Sequence, residues 1–108
     1  MAQYLVQVAY TPEAWAALVK NPQNRMQSVG PVVERLGGKV QGAWLTFGEY
    51  DTVVIAQLPD NVSAAAFSMA VSAGGACKSC TTTPLMTPEE GIEAMRKAAG
   101  AGYRPPGG

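Results

Sequence analysis

Glu49, Tyr50 and Asp51 sit in the stretch FGEYDTVVIAQLPD, residues 47–60, directly before the apolar run Val53-Val54-Ile55-Ala56. Placed at the mouth of a cavity, these groups suit proton transfer and recognition. Asp51 would serve as a base and Tyr50 as a hydrogen-bond donor to a ligand, the two candidate catalytic residues. Glu49 adds a second carboxylate at the same corner. A purely structural reading of the turn stands beside this one. Gly48 tolerates a positive φ, Asp51 can close an Asx-type turn, and Tyr50 can lay its ring over the end of a sheet. A tight turn needs neither a tyrosine nor two acids, and that keeps the functional reading open. Arg25, in an interruption between two helical stretches, is a candidate ligand contact and a candidate partner for Asp51 or Glu49.

Gln7 and Gln57 fall within otherwise apolar strand patterns. On an open sheet face they become polar handles in an apolar cleft, or they bond to each other or to a second chain. Trp44, with Trp15, reads as a core or interface anchor and joins Gln7, Gln57, Glu49 and Arg25 as a ligand-binding candidate. Cys77-Lys78-Ser79-Cys80 resembles a redox pair, but such pairs work where they open a helix. In a strand, residues three apart point to opposite faces and lie roughly 10 Å apart. That is beyond the reach of a disulfide, about 7 Å between Cα atoms. One cysteine is therefore expected to be buried and the other partly exposed.

The chain has no histidine, which removes Ser-His and Cys-His catalysis and histidine metal ligation together. A zinc site at the two cysteines would have only carboxylates to complete it, so neither a metal nor a cofactor is expected. Lys+Arg and Asp+Glu balance at 8 each. Without a basic stripe, no nucleic-acid partner is expected. No apolar stretch approaches a membrane span, and the first residues lack a basic segment followed by a long apolar run. A cytoplasmic protein without a membrane partner is the expectation.

The elements that must position these residues follow from periodicity. Residues 4–10 read as a strand. Thr11-Pro12 opens a helix, and Asn21-Pro22 interrupts it, because a residue before proline avoids the α region. Asn21 is a candidate cap for the restart, whose apolar stripe is Met26, Val29, Val32, Val33 and Leu36. Gly30-Pro31 is expected to bend that helix and Gly37-Gly38 to end it. Strands follow at 39–47 and 52–58, joined by the GEYD turn. Asp60 caps a helix over 61–73, Gly74-Gly75 stops it, and 76–83 reads as an edge strand. Thr87-Pro88-Glu89-Glu90 is a capping box for a last helix to about Ala99. The glycine pairs do not form a phosphate-binding loop.

This order, β-α-β-β-α-β with an extra C-terminal helix, gives a ferredoxin-like α+β fold with an antiparallel four-stranded sheet. Its first and third strands are central, which fits the run Val53–Ala56, apolar on both faces. Two helices cover only one face of such a sheet. Neither alternating set in the central strands reads as solvent-facing, and each Val or Leu buried is worth roughly 1.5–3 kcal/mol. The uncovered face is therefore expected to pack against a second copy; the alternative is that the last helix and tail fold back over it.

The run TPEAW…NPQNR…LGGKV…FGEYDTVVIAQLPD, with TPEEG and GYRPP beyond it, resembles the GYD domain family over nearly the whole chain. The family's name describes the turn formed here by Gly48, Tyr50 and Asp51. The resemblance implies residues 1–100 as one domain of the dimeric α/β barrel type, protomers pairing sheet to sheet, with 101–108 as a Gly/Pro-rich tail. It does not imply one activity, because the wider superfamily holds cofactor-independent monooxygenases, lactone isomerases, haem enzymes and binding proteins. Three functions follow as expectations. The first is a homodimer or higher homo-oligomer holding a small apolar or aromatic molecule, between sheet and helices or at the dimer interface. The second is a cofactor-independent oxygenase or isomerase using Asp51 and Tyr50. The third is an assembly subunit whose tail grips a neighbour.

Overall fold

A computed structural model describes residues 1–107. The chain forms β1 (Ala2–Tyr10), α1 (Pro12–Lys20), α2 (Met26–Arg35), β2 (Lys39–Leu45), β3 (Thr52–Leu58), α3 (Asn61–Ala73), β4 (Cys77–Leu85) and α4 (Pro88–Ala99). The four strands make one antiparallel sheet in the order β2-β3-β1-β4. The first and third strands are thus central, and the Thr81–Thr83 run lies on an edge. This is the ferredoxin-like α+β architecture, with α4 added after the last strand.

Local chemistry sets the element boundaries. Thr11 accepts a hydrogen bond from the Ala14 N–H at 3.1 Å, with Pro12 opening α1. Asp60 accepts from Ser63 N–H at 2.8 Å and starts α3. The capping box of α4 is complete: Thr87 Oγ1 accepts from Glu90 N–H, and Glu90 Oε1 accepts from Thr87 N–H. The restart after α1 departs from expectation. Asn21 ends α1 by donating its N–H to Ala17 O, and Asn24 caps α2 by accepting from Met26 N–H at 3.0 Å. A side-chain cap must stand within two or three residues of the N–H it serves, and Asn21 is too far back. Pro31 lies inside α2, which continues through it to Arg35.

The core lies between one sheet face and the helices. Tyr4, Val6, Val8 and Tyr10 on β1 alternate inward with Val54, Ala56 and Leu58 on β3, and meet Val33, Ala64 and Phe67. Tyr4 Oη reaches the start of α3 and donates to Asn61 Oδ1 at 2.7 Å. Gly38 is required by close approach rather than by conformation. A Cβ there would stand 2.2 Å from the carbonyl oxygen of Gln57.

The opposite face carries no layer. Leu5, Gln7, Val53, Ile55 and Gln57 are half-buried on it. The last helix does not fold back over them, since α4 makes no substantial contact with any other element. It extends the molecule to 57 × 34 × 22 Å. Its stripe of Ile92 and Met95 is 47% and 70% exposed. No helix among the described residues is long and apolar enough to cross a membrane. Gly108, the end of the expected tail, lies outside the described residues.

Candidate functional site

The GEYD corner is built by long-range hydrogen bonds. Asp51 does not close its own turn. Its Oδ2 accepts from the Tyr10 backbone N–H at 2.9 Å, and its own N–H donates to Val8 O at 2.8 Å. One residue therefore prolongs the β1–β3 ladder beyond the start of β3. Thr46 closes the turn instead, donating its N–H to Asp51 O and its hydroxyl to Tyr50 O. Gly48 has φ +145°, where a side chain would be strained. Removing the acceptor at Asp51 leaves a backbone N–H without its partner, which typically costs about 1–3 kcal/mol. Asp51→Ala should lose that much stability in urea melts. Asp51→Asn, which keeps an acceptor oxygen, should lose about 1 kcal/mol or less. Equal losses in the two variants would mean that charge, not the hydrogen bond, is what matters there.

Tyr50 reaches across the open face. Its Oη lies 3.4 Å from Thr81 Oγ1 on β4, with β1 between the two strands. Ala9, the open-face residue of β1 at this end, is 1% exposed. Glu49 is exposed, and neither Glu49 nor Asp51 forms an ion pair with Arg25 among the described residues. Gln7 and Gln57 do share the open face, but they do not meet. Gln7 stands opposite Val53 and Gln57 opposite Gln3, about 13 Å apart along the strands. Trp44 is also on this face, opposite Val53, half-exposed and lying over Gly42. Trp15 packs edge-on against Tyr10, with ring centroids 5.5 Å apart.

The cysteines differ from the alternation rule. The β1–β4 register pairs Ala9 with Ser79 but Tyr10 with Cys77, so Lys78 is the extra residue of a bulge. Cys80 pairs with Val8, and Val8 and Tyr10 point the same way. Both thiols therefore face the helices, half-buried against the core. A bulge shifts the alternation by one residue, which is why residues three apart share a face. Burial pushes both thiols above their ordinary range. The charge of Cys80 adds to the rise at Cys77 and Arg25 opposes it; hydrogen bonds with Thr82 and Ser68 oppose it at Cys80.

The folded chain thus holds these protons to higher pH than the unfolded chain. Their contribution to stability is complete below the unfolded thiol value and is lost as pH rises through the folded one. Urea melts between about pH 8 and about pH 9.5 should show declining stability. The Cys77→Ser, Cys80→Ser double variant should flatten the decline, and an undiminished slope would clear the thiols of it.

The most enclosed apolar concavity lies elsewhere, on the helix side of the sheet. A cavity of about 240 Å³ opens between β1, β3, α2 and α3. Its wall is apolar, with Val6, Val54, Val29, Val32 and Phe67 prominent. Thr52 contributes a hydroxyl, but that hydroxyl donates to Tyr10 Oη at 3.0 Å. Of the candidate catalytic and ligand-binding residues, only Arg25 lines this cavity, and of the two cysteines Cys77 does. Arg25 also borders two shallower grooves, one against Trp15 and Leu18 and one against Trp44 and Leu45, and so stands at the rim. Asp51, Tyr50, Glu49, Gln7, Gln57 and Trp44 are not in its wall. Val29, Val32 and Phe67 are visible in the sequence only as helix stripes, and Ser28 carries no signal at all. No group of three or more metal-ligating side chains occurs among the described residues.

Fold and cleft together define a ferredoxin-like α+β protein with an apolar cavity beneath its sheet. The profile of the GYD domain matches residues 4–95, and the chain belongs to the GYD domain family. No protein of curated function matches it. Three crystal structures share the fold. TTHA0845 from Thermus thermophilus has 16% identity and TM-score 0.53, covering 81% of this chain and 95% of that one. The hypothetical protein PHS023 from Pyrococcus horikoshii has 12% identity and TM-score 0.51, covering 81% and 92%. FFRP-DM1 has 14% identity and TM-score 0.50, covering 80% and 100%. About a fifth of this chain has no counterpart in each of them.

Proposed function

We propose that this chain is a homo-oligomeric binding protein, each subunit holding a small apolar or aromatic molecule between its sheet and helices. The observation that carries the reading is the cavity of about 240 Å³, apolar in its walls and bordered by a single cationic side chain. Ligand sites are typically concave and mostly apolar, with a few polar groups that fix orientation. The volume is below the usual range for drug-sized ligands, so the occupant is small.

Two uncovered surfaces support self-association. The open sheet face presents Leu5, Val53, Ile55 and Trp44, and α4 presents Ile92 and Met95. Isolated helices of about a dozen residues are marginal in water, and an amphipathic one gains its stability by packing. A second copy offers the same pair of surfaces in return, as a two-fold contact requires. The exposed α4 also favours the assembly-subunit reading, with α4 rather than the tail alone as the grip. An oxygenase or isomerase led by Asp51 and Tyr50 draws less support, because neither borders the cavity and the Asp51 carboxylate already holds Tyr10 N–H.

Native mass spectrometry of protein taken directly from cells tests the reading. It should give a multiple of the subunit mass carrying a small organic molecule that mild activation removes. A cavity-filling variant, Ala70→Phe, should assemble normally and arrive empty. Wild-type protein that is always empty, or an adduct retained by Ala70→Phe, would contradict it.

A further inference from the structure

We infer that the cavity takes small apolar carboxylic acids, the body lodged against the valines and Phe67 and the carboxylate bound by Arg25. The inference rests on the cavity reading above and names the class of ligand. Its first support is the composition of the wall. Arg25 is the only ionisable side chain bordering the cavity apart from the Tyr10 phenol and the Cys77 thiol, and no carboxylate lines it. Its second support is that the Arg25 side chain has no ion-pair partner among the described residues. The ion pair among the described residues is Arg96–Glu93, on α4, and Arg25 makes no capping bond at the start of α2.

Arg25 is half-buried beside an apolar space, and an anion there would give its guanidinium charge-assisted hydrogen bonds. Its planar fork of N–H donors matches a carboxylate in two parallel hydrogen bonds. The position is also favourable in the field of the helix. Arg25 immediately precedes α2, whose first turn contains no acidic residue, so the positive end of the helix dipole is not neutralised there. The N–H groups of that turn are already engaged: Met26 and Gln27 donate to Asn24, and Ser28 donates to Arg25 O. The guanidinium, rather than the helix backbone, must therefore make the contact. The Ser28 hydroxyl borders the cavity and can donate a further bond. The small volume and single cation favour one monoanionic head over a phosphate.

Calorimetric titration of the full chain with phenylacetate and with phenylacetamide tests this, because the two share a shape and differ in charge. Phenylacetate should bind at least about tenfold more tightly, the difference expected of charge-assisted hydrogen bonds. Arg25→Gln should erase that preference, bringing phenylacetate affinity down to that of phenylacetamide, and Arg25→Lys should retain part of it. Thermal melts of both variants establish that the fold is intact. Equal binding of acid and amide by wild-type protein would overturn the carboxylate inference and leave the cavity reading standing. A preference undiminished in Arg25→Gln would overturn the role of Arg25. Binding of neither compound would overturn the cavity reading and this inference with it.

Discussion

Ile55→Glu is expected to leave the subunit folded and to break its assembly. Ile55 is at the centre of the open face, opposite Leu5 on β1 and Gly42 on β2. In a lone subunit it is only half-buried, so a glutamate there can turn its carboxylate to water. Pressed against a second sheet, the same carboxylate would lose its hydration without gaining a partner. That penalty runs to several kcal/mol, and each 1.4 kcal/mol is a factor of ten, so subunit affinity should fall at least about a thousandfold. Ile55→Val, which keeps an apolar surface, should associate nearly as wild type. If Ile55→Glu retained the wild-type assembly state, the open sheet face would not be the interface.

Phe67→Ala is expected to have the largest effect on stability. Phe67 is buried on α3, inside the core cluster and in the wall of the cavity. Truncating such a ring removes its transfer free energy and leaves a void, together about 3–5 kcal/mol. A domain of this size has a total stability of about 5–15 kcal/mol, so the variant would be marginal. Urea melts at unchanged slope should give that loss, and Phe67→Leu should lose much less. The cavity already adjoins Phe67, so the wall has little left to collapse with. A loss under about 1 kcal/mol would mean that the helices close over the space, and that the cavity is not a fixed feature of the fold.

Much of this architecture is legible in the sequence because it depends on short-range patterns. The bounds of β3 and the starts of α1, α3 and α4 follow from alternation and from Thr11, Asp60 and Thr87 as caps. The central place of β1 and β3 follows from strand order together with the two-sided apolar run. Features set by pairing partners are not legible. The bulge at Lys78 exists only relative to β1, and it reverses which way Cys77 faces. Asp51 stands out only as one of two acids flanking a tyrosine in a tight turn. Its partner is the Tyr10 backbone N–H, 41 positions away, and no local rule points there. Parity puts Gln7 and Gln57 on one face, but only the register reveals that they stand far apart. The cavity wall combines side chains from three strands and two helices, so most of its residues carry the signature of a core and nothing more. Arg25 is visible because a helix break must expose something, and it alone of the candidate ligand-binding residues reaches the cavity.

The most direct test of the account is the association state of the wild-type chain, because the uncovered sheet face underlies the proposed assembly. Sedimentation velocity at micromolar concentration should give a dimer or a larger closed assembly, with Ile55→Glu sedimenting as a folded single subunit. A wild-type chain that sediments as a stable, well-folded single subunit under the same conditions would contradict it.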